Sequence, residues 1–483
     1  MSIQHARQGT FSFFPDLPVV VEASAAQLTG DAGLLPIRQF DERISFTAQF
    51  AQVLDDPRDP SLTEHSMLDM VRARVYGILA DYEDQNDHDT LRHDPVFKII
   101  AGRSPEGQPL ASQPTLSRFE NGISIPSLKR LQSLFVDQFI ASFETPPTRL
   151  VFDIDAVDDP THGDQQLSLF HGFFDQHQYF PNFITCADND QFVMLALRHG
   201  TAKASLGVDD DLDYLAGRLR AVWPGVRIVI RADAGYACPT MYDACERLGI
   251  DYTIGLPANI PLKNASDSLL EQAVADFERT REKQRLFDGF WYQAGPWPHA
   301  RWVVVKAEAH QQGTNRRFIV TNRPGAQILP QAAYDDYALR GESENRNKEI
   351  KRDMGIDRTS DHRFVANFFR LYLHAAAMNL LIRLRQSIAD PPPSIIPELP
   401  PEALDGKERQ RYFRLRRQRD PLGEGHPCTW RSLLIKAAAE ILVSSRRILV
   451  RLSASWPNAD FFAHVCQQLD RPPTIGPASP STG

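Results

Sequence analysis

The chain has 483 residues, and at about 100 to 200 residues per domain this length suggests several domains rather than one. Hydrophobic residues make up 42% of the chain and charged residues 24%, which predicts a packed core and excludes a disordered or fibrous chain. The formal net charge is −8, from 61 acidic and 53 basic residues. That sum argues against a nucleic-acid partner, but it hides how charge is divided along the chain.

Cysteine usage and hydropathy indicate the cellular compartment. The five cysteines are scattered, and no two have the Cys-x2-Cys spacing of a zinc site, which favours a reducing, cytoplasmic location. The first 20 residues lack a basic segment followed by a continuous apolar stretch. We therefore expect neither secretion nor membrane insertion.

The N-terminal part of the chain is predicted to be helical. Apolar residues recur at helical spacing through most of residues 1–147, which we assign to a helical DNA-binding domain. Within it, Ser112 can cap a helix and Gly122 can end it. The run Ser-Arg-x-Glu-Asn-Gly resembles the recognition helix of repressor-type helix-turn-helix proteins, in which Arg118 would face the DNA major groove. An ordinary capped surface helix is the alternative.

Between residues 148 and 257 the pattern changes to alternating strands and helices. RLVFDID, LSLFHGFFD and FVMLALRHG are predicted as three strands in a meander, followed by VRIVIRAD and DYTIGLP with amphipathic helices between them. This order predicts an α/β fold with a mixed sheet covered by helices. The working groups of such a sheet lie at the ends of its strands.

The remaining chain divides into three parts. Residues 258–330 contain a charged helix and polar-alternating strands, which predict a β-rich insertion, and the helical pattern resumes over residues 331–390. Residues 391–483 begin as a proline-rich linker and are predicted to continue as a basic, helical C-terminal region. Within that region, residues 406–451 hold twelve basic and four acidic residues. Arginines interleaved with aromatic residues favour a nucleic-acid contact over an ordinary basic surface. The candidates are Arg414, Arg416 and Arg417.

Acidic residues end two of the predicted strands. Asp155 lies at the end of the first strand, with Asp153 two residues earlier on the same face, and Asp233 ends the buried strand VRIVIRAD. Carboxylates on neighbouring strands repel each other unless a cation lies between them. Ligands that are all oxygen atoms favour Mg²⁺ or Mn²⁺ over zinc.

A polar stripe marks the segment YALRGESENRNKEIKRD, residues 337–353. Five of its residues follow a spacing of 3, 4, 4 and 3, which predicts one face of a single helix. They are Tyr337, Arg340, Glu344, Lys348 and Lys351. A helix that covers a sheet normally has an apolar stripe there, so a charged stripe indicates a functional surface. An exposed, salt-bridged helix is the alternative.

The pattern Tyr-x2-Arg-x3-Glu-x6-Lys is formed here by Tyr337, Arg340, Glu344 and Lys351. It resembles the signature helix of a large group of bacterial insertion-sequence DDE transposases, the Tyr-Arg-Glu-Lys group. The resemblance extends in order and spacing to DIDAVDDPTHGDQQ, FHGFFDQHQYFPN, RADAGYACPTMYDAC and HRFVANFFRLYLHAAAMNLL. Four residues fixed at three spacings are far more specific than a lone Asp-x-Asp.

The resemblance implies an RNase H-like catalytic core interrupted by the β-rich insertion. Its catalytic residues would be Asp155, Asp233 and Glu344, binding two Mg²⁺ ions that Mn²⁺ can replace. Asp155 is followed by Ala and Val, although the threonine usual in the family is absent. Asp155 is preferred as the first catalytic carboxylate. Asp153 is either the alternative metal ligand or a carboxylate that contacts the metal ligands without binding the metal.

The resemblance also implies how DNA is held. Arg340 and Lys351 would contact phosphates at the ends of the element, and Tyr337 would reach the same backbone through its hydroxyl. Lys348 and Arg346 are weaker candidates. In the insertion, Trp291 and Trp297 are candidates for stacking on an extruded base, or are ordinary aromatic residues.

The implied reaction is cut-and-paste transposition by two-metal phosphoryl transfer: cleavage at the ends of an insertion sequence, then strand transfer. The implied partners are terminal inverted repeats, target DNA and a second copy of the chain bound on DNA, with no membrane, in the cytoplasm at the nucleoid. Two alternatives share the same residues. One is a DNA nuclease without strand transfer, and the other is a catalytically inactive DNA-binding protein.

Overall fold

The structure is a computed structural model that describes residues 9–14, 17, 19–21, 24–388 and 426–470. The proline-rich linker and the predicted DNA contacts Arg414, Arg416 and Arg417 lie outside the described residues. Those assignments remain predictions.

Helices form most of the N-terminal region, and side-chain caps mark several of their starts. Ser66, Asp94 and Ser124 each accept a hydrogen bond from a backbone N–H in the first turn of a helix. The helices are α1 (Leu34–Ile44), α2 (Phe46–Gln52), α3 (Met67–Leu79), α4 (His88–Leu91), α5 (Pro95–Ile100), α6 (Gln113–Asn121) and α7 (Ile125–Ile140). Three short strands precede them: β1 (Gly9–Phe11), β2 (Val19–Val21) and β3 (Gln27–Thr29).

An eight-stranded mixed sheet is the centre of the α/β part. Its strands are β4 (Arg149–Ala156), β8 (Asn182–Cys186), β9 (Phe192–Ala196), β10 (Arg227–Ala232), β11 (Asp251–Leu256), β12 (Gln284–Tyr292), β13 (Arg301–His310) and β14 (Gly313–Thr321). Their order across the sheet is β12-β13-β14-β11-β10-β4-β8-β9. β10 runs parallel to β4 and β11, whereas every other neighbouring pair is antiparallel.

Two sequence predictions about strands differ from this sheet. LSLFHGFFD does not supply its second strand: Leu169–His171 (β6) pairs with Gln176–Tyr179 (β7), which also pairs with Asp159–Pro160 (β5), in a separate small sheet. The second strand of the meander is instead β8, NFITC, which is buried along its whole length. In addition, the insertion strands do not form a separate unit, because β14 pairs with β11 and extends the core sheet.

Helices cover both faces of the core strands. Leu150, Phe152 and Ile154 of β4 pack in one cluster with α8 (Val208–Val222) and α9 (Pro239–Arg247). Asp153 and Asp155 alternate with these residues and therefore point to the opposite face. The other helices of this part are α10 (Ile260–Ala265), α11 (Asp267–Thr280), α12 (Pro330–Ala338), α13 (Gly341–Arg352) and α14 (Phe364–Ser387).

Helix α14 joins the N-terminal region to the sheet. Its apolar residues share one hydrophobic cluster with α1 to α3, with strand β9 and with Trp430 near the C-terminus. By length and composition α14 is the described helix that could cross a membrane, but 89% of the relevant window is buried inside the protein. Such burial is what the central helix of a packed core requires.

The described part of the C-terminal region, residues 426–470, contains strands as well as the predicted helices. It contains α15 (Pro427–Trp430), β15 (Ala439–Val443), β16 (Ile448–Leu452) and α16 (Ala459–Asp470). β15 pairs with β16 and with β3 from the N-terminal region, both antiparallel. Segments from the two ends of the described chain therefore complete one small sheet, a long-range pairing that no local pattern signals.

Candidate active site

The signature segment is two helices rather than one. Tyr337 lies near the end of α12 and Arg340 immediately precedes α13, so the predicted single face of five residues is wrong. Between the helices the backbone makes tighter turns, with Arg340 N–H bonded to Tyr337 C=O at 2.9 Å and Ser343 N–H bonded to Arg340 C=O at 2.8 Å. The bend turns Arg340 toward the end of β4.

Asp155 is the most contacted of the three predicted catalytic residues. Its Oδ2 accepts hydrogen bonds from Asn347 Nδ2 at 2.8 Å, Ser343 Oγ at 3.3 Å and Arg340 Nη1 at 3.4 Å. All three donors come from α13 or from the turn before it. Sequence patterns singled out Arg340 but not Ser343 or Asn347, which flank Glu344 on the buried side of α13.

Asp233 and Glu344 lie close enough to Asp155 for their negative charges to raise its pKa. Asp233 directly follows β10, where its Oδ1 accepts the N–H of Gly235 at 2.8 Å. Glu344 lies on the exposed side of α13, and its Oε1 accepts from Arg340 Nη2 at 3.1 Å. Arg340 thus pairs with both Asp155 and Glu344. The negative charge of Asp233 also contributes to raising the pKa of Arg340.

The pKa of Asp155 records this environment. Burial raises it most, the negative charges of Asp233 and Glu344 add to the increase, and Arg340 opposes it, so the pKa of Asp155 is about 6. A buried carboxylate with acidic neighbours favours a cation beside it. In this structure Arg340 supplies that positive charge.

The donor chemistry fits a hard divalent cation. Asp155, Asp233 and Glu344 each use one carboxylate oxygen for protein contacts, and the other oxygen has no hydrogen-bond partner among the described residues. In the described part of the chain, no group of three acidic, histidine or cysteine side chains could hold a metal ion. The three carboxylates are therefore farther apart here than the ligands of one metal ion would be. Glu344 is 54% exposed, so its side chain has room to move.

Tyr337 lies deeper than a surface DNA contact would. Its hydroxyl reaches Gly255 of β11 so closely that a Cβ there would lie 2.6 Å from it, which explains the glycine at this position. Burial raises the pKa of Tyr337, and the charge of Asp233 adds to that increase. The phenol therefore borders the carboxylate site.

The other predicted DNA contacts differ in their exposure and in their present hydrogen-bond partners. Lys348 is exposed on α13, whereas Lys351 donates from Nζ to the carbonyl of Asp158 at 2.8 Å and to its carboxylate at 3.2 Å. Arg118 is exposed on α6, the helix predicted to begin after Ser112 and end at Gly122.

The two tryptophans of the insertion differ in exposure. Trp291 is 60% exposed on β12. Trp297 is 5% exposed and packs edge-on against Tyr242 and Tyr292. A base could therefore reach Trp291 but not Trp297, which is an ordinary core aromatic residue, the alternative that the sequence left open.

Asp153 is completely buried and paired with two arginines. Arg231 Nε and Nη2 donate to its two oxygens at 2.7 and 2.9 Å, and Arg346 Nη2 donates at 2.8 Å. The sequence suggested Arg346 only as a weaker contact to DNA phosphates, for which it is too deeply buried, and it did not single out Arg231. A signal was present for Arg231, because an arginine inside a buried strand requires an acidic partner.

The mixed sheet, with acidic residues at the carboxyl ends of its central strands β4 and β10, defines an α/β protein with a candidate active site built from carboxylates. The family described as transposase DDE domain group 1 matches residues 11–392, and the chain belongs to this family of DDE transposases. Transposases of this family are enzymes that cleave and join DNA.

Comparison with individual proteins adds a solved structure. The cryo-EM structure of a piggyBac transposase synaptic complex with hairpin DNA is similar, with 12% identity and a TM-score of 0.40. The match covers 88% of this chain and 84% of that chain. No curated protein matches the sequence.

Proposed function

We propose that this protein is a cut-and-paste transposase of a bacterial insertion sequence, of the Tyr-Arg-Glu-Lys group. The observation that carries the proposal is the pairing of Arg340 with both Asp155, at the carboxyl end of β4, and Glu344, while Asp233 follows the adjacent parallel strand β10. These are the three carboxylates to which the resemblance assigns the catalytic roles.

An RNase H-like core is part of the proposal. Strands β9-β8-β4-β10-β11 are adjacent in this order, β4, β8 and β9 form the antiparallel meander, and β4, β10 and β11 are parallel. That arrangement supports the RNase H-like assignment. It also brings the ends of β4 and β10 side by side.

The family generally uses divalent metal ions. Asp155, Asp233 and Glu344 would hold two Mg²⁺ ions, or Mn²⁺ in their place, through their available oxygens. Such ions activate the attacking oxygen and stabilise the leaving one in phosphoryl transfer. Asp155 fits a ligand better than Asp153, because Asp153 is fully buried and already paired with two arginines.

The remaining side chains would act on the DNA. Once Arg340 is released from Asp155 and Glu344, its planar guanidinium can bind a phosphate of the transferred strand in two-pronged fashion. Lys348 is exposed on α13 and would add a point charge. Tyr337 would fix the position of Arg340, because the two side chains interact.

The proposed partners are the terminal inverted repeats, the target DNA and a second copy of the chain that assembles on DNA. Holding two element ends at once requires two active sites, which supports the dimer. We propose a cytoplasmic, nucleoid-associated location, with no membrane partner.

The test combines the protein with duplexes that carry the inverted repeats flanking its gene, together with a target plasmid and Mg²⁺. The proposal expects cleavage at the repeat end to leave a 3′-OH, and then joined products in the plasmid. Cleavage without joined products would instead favour the nuclease. Binding with no cleavage in Mg²⁺ or Mn²⁺ would favour the inactive DNA-binding protein.

A further inference from the structure

A layer of buried charges lies directly behind the candidate catalytic carboxylates. We call it the support triplet, and it consists of Asp153, Arg231 and Arg346. Each member lies two residues along the chain from one candidate catalytic residue. Those residues are, in the same order, Asp155, Asp233 and Glu344.

The register of the sheet explains this correspondence on the strands. Arg231 of β10 is directly opposite Asp153 of β4, and the strands run parallel. Two residues further along each chain, on the same face, come Asp155 and Asp233. The Arg231–Asp153 pair therefore fixes the alignment of β4 and β10 two residues before Asp155 and Asp233.

The same aspartate fixes helix α13. Arg346 Nη2 donates to Asp153 at 2.8 Å, and its Nη1 donates to Asp190, in the turn between β8 and β9, at 2.6 Å. One guanidinium thus ties α13 to two parts of the sheet. Because Glu344 lies less than one turn before Arg346, this contact sets both the rotation and the depth of Glu344.

Helix α12 is tied to the layer as well. Arg231 Nη1 donates to the backbone carbonyl of Asp336 at 3.0 Å, and Arg323 pairs with the Asp336 carboxylate at 3.2 Å. Asp336 immediately precedes Tyr337. Both helices of the signature segment are therefore connected to Arg231 and Asp153.

Stability alone does not account for such a layer. Buried ion pairs are often replaceable by apolar residues without loss of stability, since desolvation offsets their attraction. A paired guanidinium, by contrast, fixes direction and distance at once. Asp153 has no exposed surface, and Arg231 and Arg346 are 3% and 5% exposed, so none of them is available to DNA.

We propose that Asp153, Arg231 and Arg346 are positioning residues that set the mutual spacing of the three catalytic carboxylates. This inference rests on the proposed function. The support triplet touches neither the reacting phosphate nor solvent, and it acts only through the residues two steps away on each element.

The main test is the double variant Asp153→Asn with Arg346→Gln, which removes one negative and one positive buried charge and leaves Arg231 paired with Asp336. We expect the single-turnover rate of cleavage of pre-bound repeat-end DNA to fall about 10- to 100-fold, since a misplacement near 1 Å can cost the larger factor. DNA affinity should stay unchanged, and the Mn²⁺ concentration for half-maximal rate should rise. The matched control is Asp213→Asn with Arg247→Gln, the same change in an exposed pair, which should cleave at the wild-type rate.

A second variant keeps the test decisive if the double variant fails to fold. Arg346→Lys retains the charge but cannot contact Asp153 and Asp190 at once with the same geometry. A folded Arg346→Lys protein with reduced cleavage and unchanged DNA affinity supports positioning. A folded Arg346→Lys protein with the wild-type rate and metal dependence overturns it.

Glu344→Gln, measured on the same DNA, separates the two levels of inference. If Glu344→Gln is inactive and the double variant is fully active, the support triplet is not a positioning device and the proposed function stands. If Glu344→Gln cleaves normally, the proposed function itself fails.

Discussion

Replacing Glu120 tests whether helix α6 is a fixed part of the core. Glu120 is completely buried, and its two oxygens accept from Arg74 Nε at 2.7 Å and from Arg370 Nε at 2.6 Å. These contacts tie α6 to α3 and to α14. The variant Glu120→Gln keeps the shape of the side chain but leaves two buried guanidinium groups without their shared counter-charge.

The size of the effect follows from the pKa. Burial would raise the pKa of Glu120, but Arg74 and Arg370 outweigh burial and lower it from 4.5 to about 2. At about 1.4 kcal/mol per pH unit, that difference corresponds to about 3 kcal/mol of folding free energy. Breaking a buried ion pair from one side costs about 3 to 5 kcal/mol, which agrees.

The assay is urea unfolding at pH 7 and at lower pH. Because the pKa is lowered on folding, the stabilisation is complete above about pH 4.5 and is lost as the pH falls toward 2. The deficit of Glu120→Gln should therefore be largest at pH 7 and shrink in acid. Glu42→Gln removes an exposed carboxylate that pairs with the largely buried Arg38, and it should cost less than about 1 kcal/mol. A Glu120→Gln deficit as small as this control would refute the reasoning.

Three further predictions concern the site and the insertion. Because the pKa of Asp155 is about 6, Mn²⁺ affinity measured by calorimetry should weaken as the pH falls below 6. Arg340 lowers that pKa, so Arg340→Gln should shift this loss of Mn²⁺ affinity to higher pH. If the pH dependence of the Arg340→Gln variant is unchanged, the contact between Arg340 and Asp155 is contradicted. Trp297→Ala should cost about 3 to 5 kcal/mol in urea unfolding and the exposed Trp291→Ala far less, and equal costs would argue against their difference in burial. Lys348→Ala should lower the slope of log K against log salt for DNA binding by about 1, and an unchanged slope would remove Lys348 from the interface.

Local patterns predicted the strand ends well. The alternation in RLVFDID and the apolar run in VRIVIRAD predicted strands that the structure has at Arg149–Ala156 and Arg227–Ala232, with Asp155 and Asp233 at their ends. Each prediction needed only neighbouring residues. Periodicity over a few residues is the part of a fold that a single sequence records most directly.

Contacts between distant segments were not predicted. Between α12 and α13, Arg340 contacts Asp155, a partner 185 residues away in the sequence. The pairing of β14 with β11 and of β15 with β3 likewise depends on partners remote in sequence. Helical spacing in YALRGESENRNKEIKRD was real, but it could not reveal where the helix is interrupted.

Charge shows the same division. The net charge of −8 initially argued against DNA, yet Asp153 and Glu120 are neutralised internally by buried arginines. Each of these acids is buried with two arginines, so charges of both signs are withdrawn from the surface. The sum over the chain therefore does not describe the surface that DNA would meet.

The most direct test of the account is single-turnover cleavage of repeat-end DNA in Mg²⁺ by the wild type and by Asp155→Asn, Asp233→Asn and Glu344→Gln. The account predicts that each substitution abolishes cleavage while DNA affinity and thermal stability are retained, because the three carboxylates serve one site. Full cleavage by any one of them would contradict the assignment of that residue. Full cleavage by all three would contradict the site itself.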